Sequence, residues 1–263
     1  MAKFVAVILL VFFGFIWTGE CRCPKPTSLP ANPNDRYYQG FQKIPSTKDT
    51  ADKLKKNLIR PGQRKGIKED TVIVMDGSGS VGSCQFNKGK LALANLVRIG
   101  NDGGHDAKFA CVTFSSGAST NFKFLSPTSA AAKIRSIYYP SGGTNTQMGL
   151  AYARTLMKGL KASRRFSRKL VFLVTDGQSN IGKHLTVPNA KALKDDNVEI
   201  FVVAVGSYIS GIDEMVRVAS YPPEKHMFRV QKYENFWDVV KLVVKEVSPG
   251  KYKALHGQQN RSC

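Results

Sequence analysis

The chain has 263 residues, of which 42% are hydrophobic and 22% are charged. These proportions are close to globular averages and argue against a wholly disordered chain or a multi-span membrane protein. Lysine and arginine number 39 against 19 aspartates and glutamates, which gives a formal net charge of +20 at pH 7 and favours acidic partners. The length allows one large domain with flanking segments or two small domains.

The amino terminus has the pattern of a secretory signal peptide. Lys3 precedes an apolar run from Phe4 to Trp17, and Gly19 follows it. A run of about 14 apolar residues is shorter than the roughly 20 that a bilayer-spanning helix needs. We therefore expect residues 1–19 to be removed, which gives a secreted, extracellular protein with no transmembrane segment in its mature chain.

Five cysteines follow the predicted signal peptide: Cys21, Cys23, Cys84, Cys111 and Cys263. In an oxidising compartment most of them should form disulfides. Cys21 or Cys23 could pair with Cys263 and join the chain ends, and Cys84 could pair with Cys111 unless these two are buried thiols. Connectivity cannot be deduced from sequence, and the odd number leaves one thiol free or in an intermolecular bridge.

Residues 20–68 are predicted to form a basic, proline-containing N-terminal arm. The segment is rich in Pro, Lys, Arg and Asn, and its aromatic cluster consists of Tyr37, Tyr38 and Phe41. We expect it to be mostly extended, with a short helix over residues 49–58.

From Thr71 onward, strand-like apolar runs alternate with helical patterns, which is typical of a doubly wound sheet. Strands are predicted at 71–75, 108–114, 121–125, 170–174 and 200–205, and helices at 86–99, 147–160, 190–194, 212–219 and 236–247. Nearly continuous apolar runs indicate strands that are buried on both faces, whereas the alternation in 121–125 indicates an edge strand.

These elements predict an α/β fold over residues 69–247, followed by a C-terminal tail at 248–263. The architecture is a three-layer Rossmann-like sandwich with a central, mostly parallel sheet, one antiparallel edge strand and helices on both faces. The last helix has the clearest pattern, because its apolar residues form a single stripe at helical spacing. The stripe consists of Phe236, Val239, Val240, Val243, Val244 and Val247.

Three polar clusters follow predicted strands or open a predicted helix. They are Asp-Gly-Ser-Gly-Ser at 76–80, Gly-Gly-Thr-Asn-Thr at 142–146 and Thr-Asp-Gly at 175–177. In an open α/β sheet, ligands bind at the carboxyl edge of the strands. Carboxylate and hydroxyl oxygens suit a hard cation such as Mg²⁺, Mn²⁺ or Ca²⁺. With two carboxylates, such an ion could still accept an acidic oxygen from another molecule.

At these residues the chain resembles the von Willebrand factor type A family. The metal-ion-dependent adhesion site of that family combines D-x-S-x-S with a distant Thr and a distant Asp. The resemblance covers residues 69–247 and implies a metal site at Asp76, Ser78, Ser80, Thr144 and Asp176. It implies that the three hydroxyls contact the ion, with Mg²⁺ favoured, and that the two carboxylates act through water or as charge balance. Thr146 is expected to cap the following helix.

The resemblance implies a secreted adhesion or extracellular matrix module, similar to the matrilin, collagen and shell-matrix branch. An acidic residue of an extracellular protein partner would complete the coordination of the metal. Movement of the last helix can be coupled to affinity in this family. Nucleic acid is not an expected partner.

Enzymatic alternatives are disfavoured. Residues 77–82 satisfy G-x-G-x-x-G, but Asp76 would place a carboxylate beside a pyrophosphate, and the second strand ends in 114–117 without an acid for a ribose. Ser78 lacks the G-x-S-x-G context, and the histidines form no H-E-x-x-H. We therefore expect a binding protein and not an enzyme.

The basic surplus supports an alternative function, which is charge-driven binding of a polyanion such as glycosaminoglycan, acidic matrix or a mineral surface. The candidate residues are Lys161, Arg164, Arg165, Arg168 and Lys169. Asn260 begins a possible N-glycosylation sequon near the carboxyl end.

Overall fold

A computed structural model describes residues 28–61, 66–102, 104–253 and 263. The predicted signal peptide (1–19), Cys21, Cys23 and Asn260 lie outside the described residues. Within the described part, no helix combines the length and the apolar character that crossing a bilayer requires.

The structure describes six strands in one sheet, in the order β3-β2-β1-β4-β5-β6. They are β1 (Lys68–Asp76), β2 (Asp106–Phe114), β3 (Ala118–Leu125), β4 (Arg168–Thr175), β5 (Val198–Val205) and β6 (Met227–Val230). Neighbouring strands are parallel except β2 and β3, which are antiparallel. The predicted mostly parallel sheet with one antiparallel edge strand is confirmed. Strand β6 was not predicted, because it has only four residues.

Helices cover both faces of the sheet. They are α1 (Arg36–Gln39), α2 (Thr47–Leu54), α3 (Ser83–Arg98), α4 (Pro127–Arg135), α5 (Thr146–Lys158), α6 (Thr186–Asp195), α7 (Ile212–Val218), α8 (Pro223–His226), α9 (Tyr233–Val247) and α10 (Pro249–Lys253). Helix α4 was not predicted, because two of its four buried residues are alanines and its apolar pattern is therefore weak.

The residues of β1 alternate between two hydrophobic cores. Ile73 and Met75 pack in the core that contains α3, α4 and α9, whereas Val72 and Val74 pack in the core that contains α5, α6 and α7. This alternation gives the predicted three-layer sandwich. The apolar stripe of α9 lies in the first core, as its spacing predicts.

The N-terminal segment packs against the domain and is not extended over its described part. Tyr38 is fully buried, and Leu54 and Leu58 join the core beside α9. Gln42 and Ile209 exchange two hydrogen bonds, since the Gln42 amide donates to the Ile209 carbonyl (2.7 Å) and accepts from its N–H (3.1 Å). The expectation of an extended arm is wrong because the segment carries apolar side chains that the domain buries.

The described disulfide joins Cys84 to Cys263, with their Cα atoms 5.8 Å apart. The suggested pairings of Cys84 with Cys111, and of Cys263 with Cys21 or Cys23, are therefore wrong. Cys84 lies on the exposed side of the first turn of α3, whereas Cys111 is fully buried within β2 as a free thiol. Burial raises the pKa of the Cys111 thiol, which makes it a poor nucleophile.

Candidate metal centre

The candidate residues lie where the order of strands reverses. From the central pair β1 and β4, the chain continues to β2 and β3 on one side and to β5 and β6 on the other. Asp76 is the last residue of β1, and Asp176 follows the last residue of β4. Because β1 and β4 are parallel neighbours, both carboxylates lie at the carboxyl edge of the sheet, at the switch point where open α/β sheets bind ligands.

Hydrogen bonds from the turn after β1 and from β4 fix the Asp76 carboxylate, which is completely buried. Its Oδ1 accepts the backbone N–H of Ser78 at 2.8 Å, and its Oδ2 accepts the hydroxyl of Thr175 at 2.6 Å. The first contact closes a tight turn after β1, and the second joins β1 to β4. The orientation of this carboxylate is therefore set by the protein itself.

The serine hydroxyls connect the two aspartates. Ser78 Oγ lies 3.0 Å from Ser80 Oγ, and the Ser80 hydroxyl donates to Asp176 Oδ1 at 3.0 Å. Asp76, Ser78, Ser80 and Asp176 thus belong to one chain of hydrogen bonds. The side chains that the sequence analysis selected from two distant segments lie together.

Thr144 is held beside this chain by its backbone. The Thr144 N–H donates to Asn180 Oδ1 at 2.8 Å, and its carbonyl accepts the Asn180 N–H at 2.9 Å and the Ser179 hydroxyl at 3.0 Å. Its loop also contacts the first cluster, because the Gly79 N–H donates to the Gly142 carbonyl at 2.8 Å. Among the described residues, the Thr144 hydroxyl makes no hydrogen bond to the other four candidates. Its side chain is nonetheless buried at the same edge of the sheet.

The helix that follows is capped by Asn145 and not by Thr146. The Asn145 side chain accepts the Met148 N–H at 3.3 Å, whereas the Thr146 hydroxyl is buried without a hydrogen-bond partner among the described residues. An asparagine is as good an N-cap as a threonine. Thr144 precedes this cap and lies in the loop that bonds to Asn180, in the segment after β4.

Close packing of the three loops depends on glycine. A Cβ atom on Gly77 would lie 2.7 Å from the Pro140 ring, and one on Gly143 would lie 2.6 Å from Ile181 Cδ1. Both separations are far shorter than a normal carbon–carbon contact. The glycines of these clusters therefore let the loops approach one another, in addition to making the turns.

Supporting residues that the sequence analysis missed complete the site. The Tyr139 hydroxyl donates to the Ser78 carbonyl at 2.9 Å, and Asn180 holds Thr144 as described. Asn180 belongs to the polar run directly after Asp176, so its position after a strand could have indicated that it lies at the site. Tyr139 had no such signal, because it precedes its cluster in an otherwise ordinary loop.

The two aspartates repel each other in a partly desolvated setting. Burial raises the pKa of Asp76. Burial, and then the charge of Asp76, raise the pKa of Asp176 to about 6. Among the described residues, no Lys, Arg or His forms an ion pair with either carboxylate. The pair therefore carries negative charge near neutral pH that a cation would neutralise.

An open groove of about 480 Å³ begins at these side chains. Ser80 and Asp176 line it together with Tyr233 and Glu234 of α9 and with Cys263. Within the described residues, no three His, Cys, Asp or Glu side chains cluster tightly enough to hold a metal. A metal at the switch point would therefore rely on hydroxyl ligands as well as carboxylates.

Residues 70–242 match the sequence profile of the von Willebrand factor type A domain. The chain belongs to the von Willebrand factor type A family. Vitrin from Bos taurus is 28% identical over 181 residues, which cover 68% of this chain and 27% of vitrin. The collagen alpha-4(VI) chain from Mus musculus is 24% identical over 186 residues, or 70% of this chain and 8% of the relative. The chain thus corresponds to less than a third of each of these relatives.

Solved structures show the same fold. Proximal thread matrix protein 1 of the mussel byssus superposes with a TM-score of 0.57 and 24% identity, over 69% of this chain and 46% of that one. A structure of the same byssal protein with a zinc-occupied metal-ion-dependent adhesion site (MIDAS) motif gives a TM-score of 0.58 and 22% identity, over 69% of this chain and 48% of that one. This chain therefore shares its fold with a thread matrix protein of the mussel byssus.

The predicted polyanion-binding residues of this type A domain differ in their ion pairs and in their exposure. Arg164 pairs with Asp70 (2.7 Å) and Asp106 (2.6 Å). Arg168 pairs with Glu69 (3.0 Å) and Glu199 (2.9 Å), so both guanidinium groups have internal partners. The remaining three differ in exposure, since Lys161 and Arg165 are exposed and Lys169 is half-buried.

Proposed function

We propose that this type A domain is a secreted, metal-dependent protein-binding module that acts in adhesion or in the extracellular matrix. One divalent ion, Mg²⁺ in preference to Mn²⁺ or Ca²⁺, is held by Asp76, Ser78, Ser80, Thr144 and Asp176. The observation that carries the proposal is the pair of carboxylates at the switch point, which are joined through serine hydroxyls and have no described cationic side chain as a partner.

The donor set fits a hard divalent cation. Every candidate ligand atom is an oxygen, and two of the five residues bring negative charge. The Ser80 hydroxyl uses its proton in the bond to Asp176, which leaves its oxygen lone pairs available to a cation. Asp76 needs no rearrangement, because Ser78 and Thr175 already orient its carboxylate.

When bound, the ion supplies a Lewis-acidic position that accepts a carboxylate oxygen from another protein. The chain's own residues keep that position electrophilic, since two carboxylates at most balance the charge of the ion. The open groove beside Ser80 and Asp176 gives an acidic side chain of a partner access to this edge of the sheet. The function is therefore binding and not catalysis.

The extracellular setting of the proposal is supported by the relatives. They include a collagen chain and, among solved structures, a matrix protein of the mussel byssus. We propose an extracellular protein with an accessible aspartate or glutamate as the partner.

Isothermal titration of Mg²⁺ and Mn²⁺ into the chelator-treated protein tests the site. We expect saturable binding near one ion per chain, lost in Asp76→Ala and in Thr144→Ala. The matched controls Asp195→Ala and Thr120→Ala remove the same groups from exposed positions and should bind as the wild type does. Absence of binding in the wild type, or its retention in both site variants, contradicts the proposal.

A further inference from the structure

A second groove lies at the opposite edge of the sheet from the candidate metal centre. Its volume is about 640 Å³. Its lining includes Lys108, Lys123, Phe124, Leu156, Leu160 and Lys161. Lys108 is near the start of β2 and Lys123 is near the end of the antiparallel β3. The groove is thus roughly 20 Å from the carboxyl edge, at about 3.3 Å per residue along a strand.

The groove has a surplus of positive charge, although the nearby Asp106 carboxylate interacts with Lys108 as well as with Arg164. No aspartate or glutamate is among the described residues that line it. Arg164 also lines it, but the carboxylates of Asp70 and Asp106 already pair with that guanidinium. Three ammonium groups remain without a described ion pair, those of Lys108, Lys123 and Lys161. Lys123 and Lys161 are exposed, and the exposed Arg165 continues the basic surface along the chain.

Apolar side chains lie between the lysines. Phe124, Leu156 and Leu160 are partly buried and pack against the core beneath them. Their remaining surface gives the groove an apolar floor with a cationic rim. A simple inorganic anion has no apolar surface that could contact these side chains, so it would gain nothing from them. A sulfated sugar can use both parts of the groove, because its sulfates are attracted to the ammonium groups and the C–H faces of its rings can contact the apolar side chains.

We propose that this groove binds a linear sulfated polysaccharide, independently of the metal centre. The lysines supply long-range attraction and flexible point-charge contacts to sulfate groups, and the apolar floor selects sugar rings over plain anions. Since the two sites lie at opposite edges of one sheet, the domain can hold a sulfated glycan and an acidic protein partner at the same time.

The test is binding of a size-defined heparin oligosaccharide to the full chain, measured by surface plasmon resonance or calorimetry in the presence of EDTA. The groove variant carries Lys108→Gln, Lys123→Gln and Lys161→Gln. The control variant carries Lys56→Gln, Lys133→Gln and Lys225→Gln, which remove the same charge from exposed lysines elsewhere. At ~0.15 M salt we expect the groove variant to lose about tenfold in affinity, because each exposed ion pair is weak but three of them are lost together.

The control variant should stay within about twofold of the wild type, and Asp76→Ala should bind heparin normally. Equal losses in the two triple variants, or no binding by the wild type, would overturn the proposal. A polyglutamate peptide of matched charge provides a further comparison. If it binds as tightly as heparin and depends on the same lysines, the groove recognises acidic protein and the assignment to a sulfated glycan is wrong. Both triple variants should unfold near the wild-type temperature, because five of the six replaced lysines are exposed, Lys108 is half-buried, and none of the six has a described ion pair.

Discussion

The Ser80 hydroxyl donates a 3.0 Å hydrogen bond to Asp176 Oδ1 and thereby joins the two halves of the sheet. Ser80 belongs to the turn after β1, and Asp176 belongs to the loop after β4. The same hydroxyl lies 3.0 Å from Ser78 Oγ. The Ser78 and Ser80 hydroxyls and the Asp176 carboxylate therefore hold one another in position. Because Ser80 is exposed, loss of its hydroxyl should weaken metal binding more than it destabilises the fold.

Ser80→Ala should abolish most of the stabilisation that Mg²⁺ gives. Saturating Mg²⁺ should raise the melting temperature of the wild type, because a ligand of the folded state stabilises it by mass action. The variant should bind Mg²⁺ about tenfold more weakly or worse. Ser80 is exposed, so its removal should cost less than about 1 kcal/mol without metal.

Differential scanning fluorimetry with and without Mg²⁺ measures both effects. Ser136→Ala is the matched control, because the Ser136 hydroxyl bonds only locally, to the Lys133 carbonyl at 2.9 Å. An unchanged Mg²⁺-induced shift in Ser80→Ala would remove this serine from the metal site.

Asp176→Asn should stabilise the metal-free protein at neutral pH while abolishing metal binding. Burial and the charge of Asp76 raise the pKa of Asp176 from 3.8 to about 6. Because the folded-state pKa is the higher one, ionisation of Asp176 destabilises the folded protein as pH rises from 3.8 through 6. The amide avoids this cost, and the gain should be about 2 kcal/mol at pH 7.

Urea denaturation in EDTA at several pH values measures this effect. The gain of Asp176→Asn over the wild type should shrink as the pH falls and vanish below about pH 4. Exposed Asp195→Asn should show no such gain. Equal stability of Asp176→Asn and wild type at pH 7 would mean that the carboxylate is not strained by its neighbours.

The parts of the fold that could be predicted are those with strong local signals. Residues 71–75 and 170–174 form strands buried on both faces, so nearly every side chain in them is apolar. Strand β6 has four residues, which are too few to show a strand pattern in the sequence. It is a strand because it pairs with β5, and the sequence does not show that pairing. Helix α4 is hidden for another reason, since alanine buries little apolar surface.

The two aspartates of the candidate centre could be predicted because both follow parallel strands of the same sheet. The carboxyl ends of parallel strands meet at one edge, so Asp76 and Asp176 were expected to be neighbours. The supporting contacts could not be derived in this way. Tyr139 reaches Ser78 across 61 residues of chain, and Cys84 meets Cys263 only because it faces outward on α3. Such contacts depend on how loops and helix faces are oriented in space.

Glu199 should contribute to stability at neutral pH and lose that contribution in acid. Partial burial raises its pKa, but the neighbouring His226 and the guanidinium groups of Arg168 and Arg60 outweigh burial and lower the pKa to about 2. Arg168 Nη2 lies 2.9 Å and Arg60 Nη2 lies 3.4 Å from Glu199 Oε2. Because the folded-state pKa is below the unfolded value of 4.5, the stabilisation is present above pH 4.5 and is lost as pH falls toward 2.

Glu199→Gln should therefore lower the free energy of unfolding at pH 7 by about 1 kcal/mol, a value reduced for the partial exposure of the pair. The difference from wild type should narrow between pH 4.5 and 2.5 in urea titrations. Asp195→Asn breaks an exposed pair with Lys191 and should change the stability by less than about 0.5 kcal/mol. A Glu199→Gln variant as stable as the wild type at pH 7 would contradict the assigned role.

The Cys84–Cys263 disulfide should stabilise the domain by constraining the unfolded chain. It joins residues separated by 179 positions, and closing so long a loop removes much unfolded-state entropy, with a typical effect of about 2–5 kcal/mol. In the folded protein, the Cys263 N–H also donates to Glu234 Oε1 at 3.2 Å, at the first turn of α9. The variant Cys84→Ser/Cys263→Ser should therefore melt at a lower temperature than the wild type.

Melting curves with and without a reducing agent separate this bridge from other cysteine chemistry. Reduction should lower the melting temperature of the wild type by about as much as the double substitution does, and it should lower that of the double variant far less. Cys111 provides the control, since it is a buried free thiol and Cys111→Ala should retain the full sensitivity to reduction. If the reducing agent leaves the melting temperature of the wild type unchanged, the disulfide is absent or does not constrain the unfolded chain.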